Sequence, residues 1–84
     1  MPDGKLTTLA RMGAGRSGII VEVQGGNSLV GRVGALGIRA GKRITKVSSM
    51  IMRGPVTIRV DGTLVALGFG MASKVMVQLD KAAG

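Results

Sequence analysis

Asp3, Glu22, Asp61 and Asp80 are the only carboxylates on this chain's side chains, and neither histidine nor cysteine accompanies them. Zinc held by cysteine, haem on histidine, a Ser–His triad and a CxxC redox pair are therefore excluded. Ferrous iron needs several imidazole or carboxylate ligands converging on one point, and these four acids are far apart in sequence. No metal site intrinsic to the chain is expected. Met50 and Met52 offer thioether sulfur that suits at most a soft cation such as Cu(I). Methionines more often fill gaps or form adaptable contact surface. Ser17, Ser28, Ser48, Ser49 and Ser73 have no base to activate them, and no lysine has an evident desolvated neighbour. The chain reads as a non-enzyme without a cofactor.

Gly13-Ala14-Gly15-Arg16-Ser17-Gly18 fits the pattern GxGxxG. A dinucleotide site needs that pattern after a buried strand and at the start of a helix. Here it precedes a strand, so it reads as a turn.

Charge is the strongest compositional signal. Twelve Lys and Arg against four acids give a formal charge of +8. Such a surface attracts nucleic acid, anionic lipid or an acidic protein. Phe69 is the only aromatic residue, which disfavours readers of single strands that stack bases on rings. Arg39, Lys42, Arg43 and Lys46 cluster, with Arg53 and Arg59 nearby. They read as a solvated face, as a docking patch for an acidic partner or headgroup surface, or as phosphate contacts. Charged residues interrupt every apolar run well short of the roughly 20 residues of a membrane span. The N-terminus carries no apolar stretch like a signal peptide, so a cytosolic chain is expected.

The elements that must position these residues are short. Eighty-four residues allow one domain. Residues 5–9 form an opening strand. Gly18 to Gln24 alternates, with Ile19, Val21 and Val23 on one face and Ile20, Glu22 and Gln24 on the other. Asn27 and Ser28 can cap a short helix whose apolar stripe is Leu29, Val30, Val33 and Leu36. Gly37 sits where a left-handed C-cap belongs, with Ile38 folding back on the last turn. Gly31 and Gly34 project away from the stripe, and nothing in the pattern accounts for them. Ile44 and Val47 are three apart, which implies a bulge near Thr45-Lys46. Asp61-Gly62 marks a hairpin turn that pairs Val60 with Thr63, Ile58 with Val65 and Val56 with Leu67. Residues 68–73 form a turn or one helical turn, 75–79 a closing strand, and 80–84 a frayed tail. The sum is an all-β domain of about five strands with one short inserted helix, bent into a small barrel.

The ordered set of these stretches resembles the FeoA family, the small cytosolic component of bacterial ferrous-iron uptake. The matching pieces include Leu6-Thr7-Thr8-Leu9 with Gly13 and Gly15, Gly18-Ile19-Ile20, and residues 32–38 (Arg-Val-Gly-Ala-Leu-Gly-Ile). They continue through Gly41 with Ile44 and Val47, Gly54-Pro55, Val60-Asp61-Gly62, residues 64–68, Ala72 and Val75-Met76-Val77. The likeness spans residues 5–79 of a single domain covering 1–84. Two departures are a helix poorer in charge and richer in glycine, and an unusually basic chain. The resemblance implies an SH3-like barrel and an accessory protein that binds FeoB, a membrane transporter with a cytosolic GTP-hydrolysing domain. It also implies a cytoplasmic location, with a peripheral position at the inner face of the membrane compatible with it. A small basic barrel that binds nucleic acid is the alternative reading. A detached relative of the barrel that ends metal-dependent repressors is a third, which lacks a helix-turn-helix.

The hairpin register leaves Leu64 on the face of Arg59, and Met50, Met52 and Phe69 lie where alternation breaks. Surplus apolar surface ringed by cations is characteristic of a contact site. The expected partner-binding residues are Met50, Met52, Phe69, Leu64, Arg39, Arg43 and Arg53, with Gly37, Gly62 and Asn27 as structural turns and caps.

Overall fold

The computed structural model describes residues 5–49 and 54–80. Met50, Met52 and Arg53 lie outside the described residues. Six strands, β1 (Leu6–Thr8), β2 (Ser17–Val23), β3 (Arg43–Ser49), β4 (Val56–Val60), β5 (Thr63–Leu67) and β6 (Val75–Leu79), form one antiparallel sheet in the order β1-β6-β2-β3-β4-β5. This is one strand more than the expected sum of about five, with the three-residue opening strand paired to the closing one at the edge of the sheet. Two helices interrupt it: α1 (Asn27–Gly34) between β2 and β3, and the single turn α2 (Phe69–Ala72) between β5 and β6. The sheet curls around a core that includes Leu9, Ile20, Val33, Ile38, Ile44, Ile58 and Val77, none more than 1% exposed. The architecture is an SH3-like barrel with a short inserted helix.

Alternation decides which side chains reach that core, and two bulges reset it. In β2 the register shifts between Ile20 and Glu22, so Val21 is the extra residue and faces solvent. The inward residues before the bulge are Gly18 and Ile20, and Val23 packs against the core after it. The expected face of Ile19, Val21 and Val23 is thus corrected for its first half. The second bulge falls at Val47, between Lys46 and Ser48, one step later than expected. Ile44 and Lys46 therefore point inward, and Val47 is the exposed one.

Gly18 is required by close approach. A Cβ there would lie 2.5 Å from the carbonyl oxygen of Gln78 on β6, inside any tolerable contact.

The helix begins differently from the expectation. Gly26 is its N-cap, with φ −79° and ψ 172°, and the first helical bond runs from Val30 N–H to the Gly26 carbonyl. Asn27 is consequently the first residue inside the helix and makes no side-chain cap bond. At the other end Gly37 has φ 91°. Ile38 N–H reaches the Val33 carbonyl and Gly37 N–H the Gly34 carbonyl, both at 3.0 Å, the paired bonds of a Schellman motif. Only Val33 and Leu29 of the stripe meet the core, while Val30 and Leu36 are exposed.

Asp80, expected at the start of the tail, is held at its backbone. Its N–H donates to the Ser17 carbonyl at 2.9 Å.

Candidate functional site

The β4–β5 hairpin builds one side of the site. Asp61 and Gly62 take φ 51° and 78°, and the ladder pairs Val60 with Thr63, Arg59 with Leu64 and Ile58 with Val65. Two positive φ values in a two-residue loop define a type I′ turn, whose twist matches that of its strands. Val65 is thereby buried, and Leu64 is left 54% exposed on the outer face.

The turn that follows α1 builds the other side. The left-handed turn at Gly37 redirects the chain, and a Cβ at this position would touch Val60 at 3.4 Å. Leu36, just before the turn, is 45% exposed. Between the two elements lies an open groove of about 610 Å³. Residues 35–37 and Arg39 line one wall, residues 63–66 the other, with Val60 and Asp61 between them.

Of the four expected contact residues that the structure describes, this geometry joins two and separates two. Leu64 and Arg39 share the groove. Phe69 follows β5 at the end away from the hairpin turn, half-buried, and is no part of the lining. Arg43 sits on β3 opposite Ile19 and pairs with the carboxylate of Asp80. Leu36, read from the sequence as helix stripe, belongs to the site instead. Its signal was the width of the stripe, four apolar residues on a helix too short to bury them all.

The basic cluster dissolves in three dimensions. Lys42 bonds Asp61 at 2.9 Å, Arg43 is bound to Asp80, and Lys46 is 1% exposed. Lys46 Nζ donates to the carbonyls of Ala10 and Met12, and desolvation by burial holds its pKa below the usual lysine value. Of the four clustered cations, Arg39 alone makes no ion pair and stays exposed, among the described residues. Its guanidinium gives the groove a cation free to meet a carboxylate.

No group of three or more metal-ligating side chains occurs among the described residues. Among them, too, no helix is long and apolar enough to cross a membrane. The groove offers apolar contact and two charges, the Asp61 carboxylate held by Lys42 and the unpaired Arg39, rather than a reacting constellation.

Comparison with known proteins gives a consistent result. The FeoA domain model matches residues 7–79. A crystal structure of an iron uptake regulatory protein, FeoA, superposes with a TM-score of 0.85 at 35% identity, over 89% of this chain and 99% of that one. An FeoA-like protein from Clostridium acetobutylicum matches in fold, with a TM-score of 0.83 at 16% identity, over 95% of this chain and 93% of that one. A manganese-dependent transcriptional repressor shares the fold at 18% identity and a TM-score of 0.82, over 94% of this chain but 44% of its own. No curated sequence matches significantly. With the family model spanning nearly the whole chain and an FeoA structure matched end to end, this protein belongs to the FeoA family, which is associated with ferrous iron transport.

Proposed function

We propose that the chain is an accessory protein of ferrous iron uptake that acts in the cytoplasm. It binds the cytosolic GTP-hydrolysing domain of an FeoB-type membrane transporter through the groove between β5 and the turn that follows α1. The observation that supports this most is the pairing of exposed Leu36 and Leu64 across an open groove with an unpaired Arg39 beside them. Apolar area at the centre slows dissociation, and a charge at the rim speeds encounter. The net charge of +8 favours an acidic surface on the partner.

The test is surface plasmon resonance with the immobilised cytosolic domain of the transporter, using thermal melts as the folding control. Leu64→Asp and Leu36→Asp should each weaken binding about tenfold or more, since each puts a charge into the apolar contact. Variants that melt normally and bind like wild type would move the contact elsewhere. A wild-type chain that ignores the domain but binds duplex DNA or RNA with a steep salt dependence would replace this reading with the nucleic-acid one.

A further inference from the structure

We infer that the groove works by strand addition: the open edge of β5 takes an extended, acidic segment of the partner as a seventh strand. This rests on the partner reading above and goes further, to the chemistry of recognition.

The argument begins with the hairpin turn. In a two-residue I′ hairpin the residues flanking the turn, Val60 and Thr63, exchange both ladder hydrogen bonds. Bonded and non-bonded pairs then alternate, so Ile58–Val65 and Val56–Leu67 are the other bonded pairs. Leu64 and Ala66, opposite Arg59 and Thr57, consequently turn their N–H and C=O groups away from β4. β5 is the last strand of the sheet, and no ladder joins it to β1 among the described residues. Those four backbone groups face outward.

The groove lies along that same edge. Leu64 and Ala66 belong to the outer face of the sheet and Val65 to the inner one, yet all three line it. Residues from both faces of a strand meet only at its edge. Leu36 stands across the gap, where it can contact alternate side chains of an added strand.

Edges are normally guarded by charge, proline, brevity or a covering element. β1, the opposite edge, has only three residues and is preceded by Lys5. β5 has five residues, Thr-Leu-Val-Ala-Leu, with no charge and no proline. The turn after α1 stands beside it as the far wall of a groove rather than a lid. An unguarded edge of this kind is a template for pairing.

Charge selects the occupant. A second copy would bring another +8 and a second Arg39 to the interface. An acidic segment answers both, with a carboxylate placed at Arg39 and apolar residues at alternate positions between Leu36 and Leu64.

The experiment uses the full chain with two probes, the transporter's cytosolic domain and a synthetic heptapeptide alternating valine with glutamate. Amide hydrogen exchange by NMR reads the Leu64 and Ala66 N–H groups, which should slow about tenfold or more on binding either probe. Ala66→Pro removes an edge N–H that β4 does not use, so it should melt like wild type and lose binding. Ala66→Ser keeps that N–H and should bind normally. If the domain binds with those two amides unprotected, strand addition is overturned and the partner reading survives. Protection by the peptide while the domain fails to bind supports the edge site and removes the partner. Binding of neither probe overturns both. Protection in a concentration-dependent dimer of the free chain overturns the acidic occupant in favour of a second copy.

Discussion

The Nζ of Lys46 donates a 2.7 Å hydrogen bond to the carbonyl of Met12, which precedes it by 34 residues. A second bond, 3.1 Å long, reaches the Ala10 carbonyl. The backbone of Lys46 completes the clasp, accepting from Gly15 N–H at 2.7 Å and donating to the Arg16 carbonyl at 2.9 Å. One residue of β3 therefore holds the β1–β2 connection at four points. Among the described residues no carboxylate pairs with the buried ammonium, and carbonyl dipoles stabilise it.

Lys46→Met should destabilise the fold by about 2 kcal/mol. It leaves two carbonyls without their donor, at ~1–3 kcal/mol for each group that stays buried, and this outweighs the relief of removing a desolvated charge. In a domain of this size the melting temperature should fall by roughly 8–16 °C. An unchanged melt would show that water replaces the ammonium at no cost.

The same burial makes stability depend on alkaline pH. The folded-state pKa of Lys46 is lowered, so between it and the unfolded value of about 10.4 the unfolded chain binds more protons. Stability contributed by this group therefore rises with pH across that window, as the desolvation penalty is relieved. Urea unfolding at several alkaline pH values should show that the difference between wild type and Lys46→Met grows in favour of wild type as pH increases. A constant difference would overturn the assignment.

The glycines divide by environment. Gly31 and Gly34 of α1 meet nothing within 4 Å of an added Cβ and have negative φ, so Gly31→Ala and Gly34→Ala should each stabilise by about 0.5–1 kcal/mol. Gly18→Ala should cost about 2 kcal/mol or more, because β2 and β6 must part to admit the methyl group. Gly37→Val and Gly62→Val should each cost more than ~1 kcal/mol at their positive φ. Chemical denaturation of the five variants checks the order.

Association with the transporter domain should depend on Arg39 more than on Arg43. Arg39→Glu should slow association by about fivefold or more at low salt and flatten its salt dependence, because it reverses an unpaired charge at the groove. Arg43 is occupied by Asp80, so Arg43→Glu should act less on the rate and more on stability, by placing two carboxylates together. Stopped-flow mixing across a salt series separates the two. An equal loss of rate would spread the encounter surface over both residues.

What the sequence determined by itself is everything that neighbours along the chain decide. The hairpin register follows from Asp61-Gly62 and the alternation on either side, because a two-residue turn leaves no freedom of pairing. The helix end at Gly37-Ile38 follows for the same reason. The ordered motifs carried the family resemblance. What distant partners decide was legible only in the tertiary structure. The faces of β2 depended on a bulge at Val21, set by its ladder with β6, and the inward turn of Lys46 on a bulge at Val47, set by β4. Arg43 left the basic cluster because Asp80, 37 residues away, lies beside it, and Lys42 because the hairpin brings Asp61 to it across 19 residues. Leu36 and Leu64 became one site in the same way. Each is an unremarkable apolar residue in its own segment, and only the placement of the turn after α1 beside the hairpin leaves a groove between them, since a barrel this small cannot bury every apolar side chain it carries.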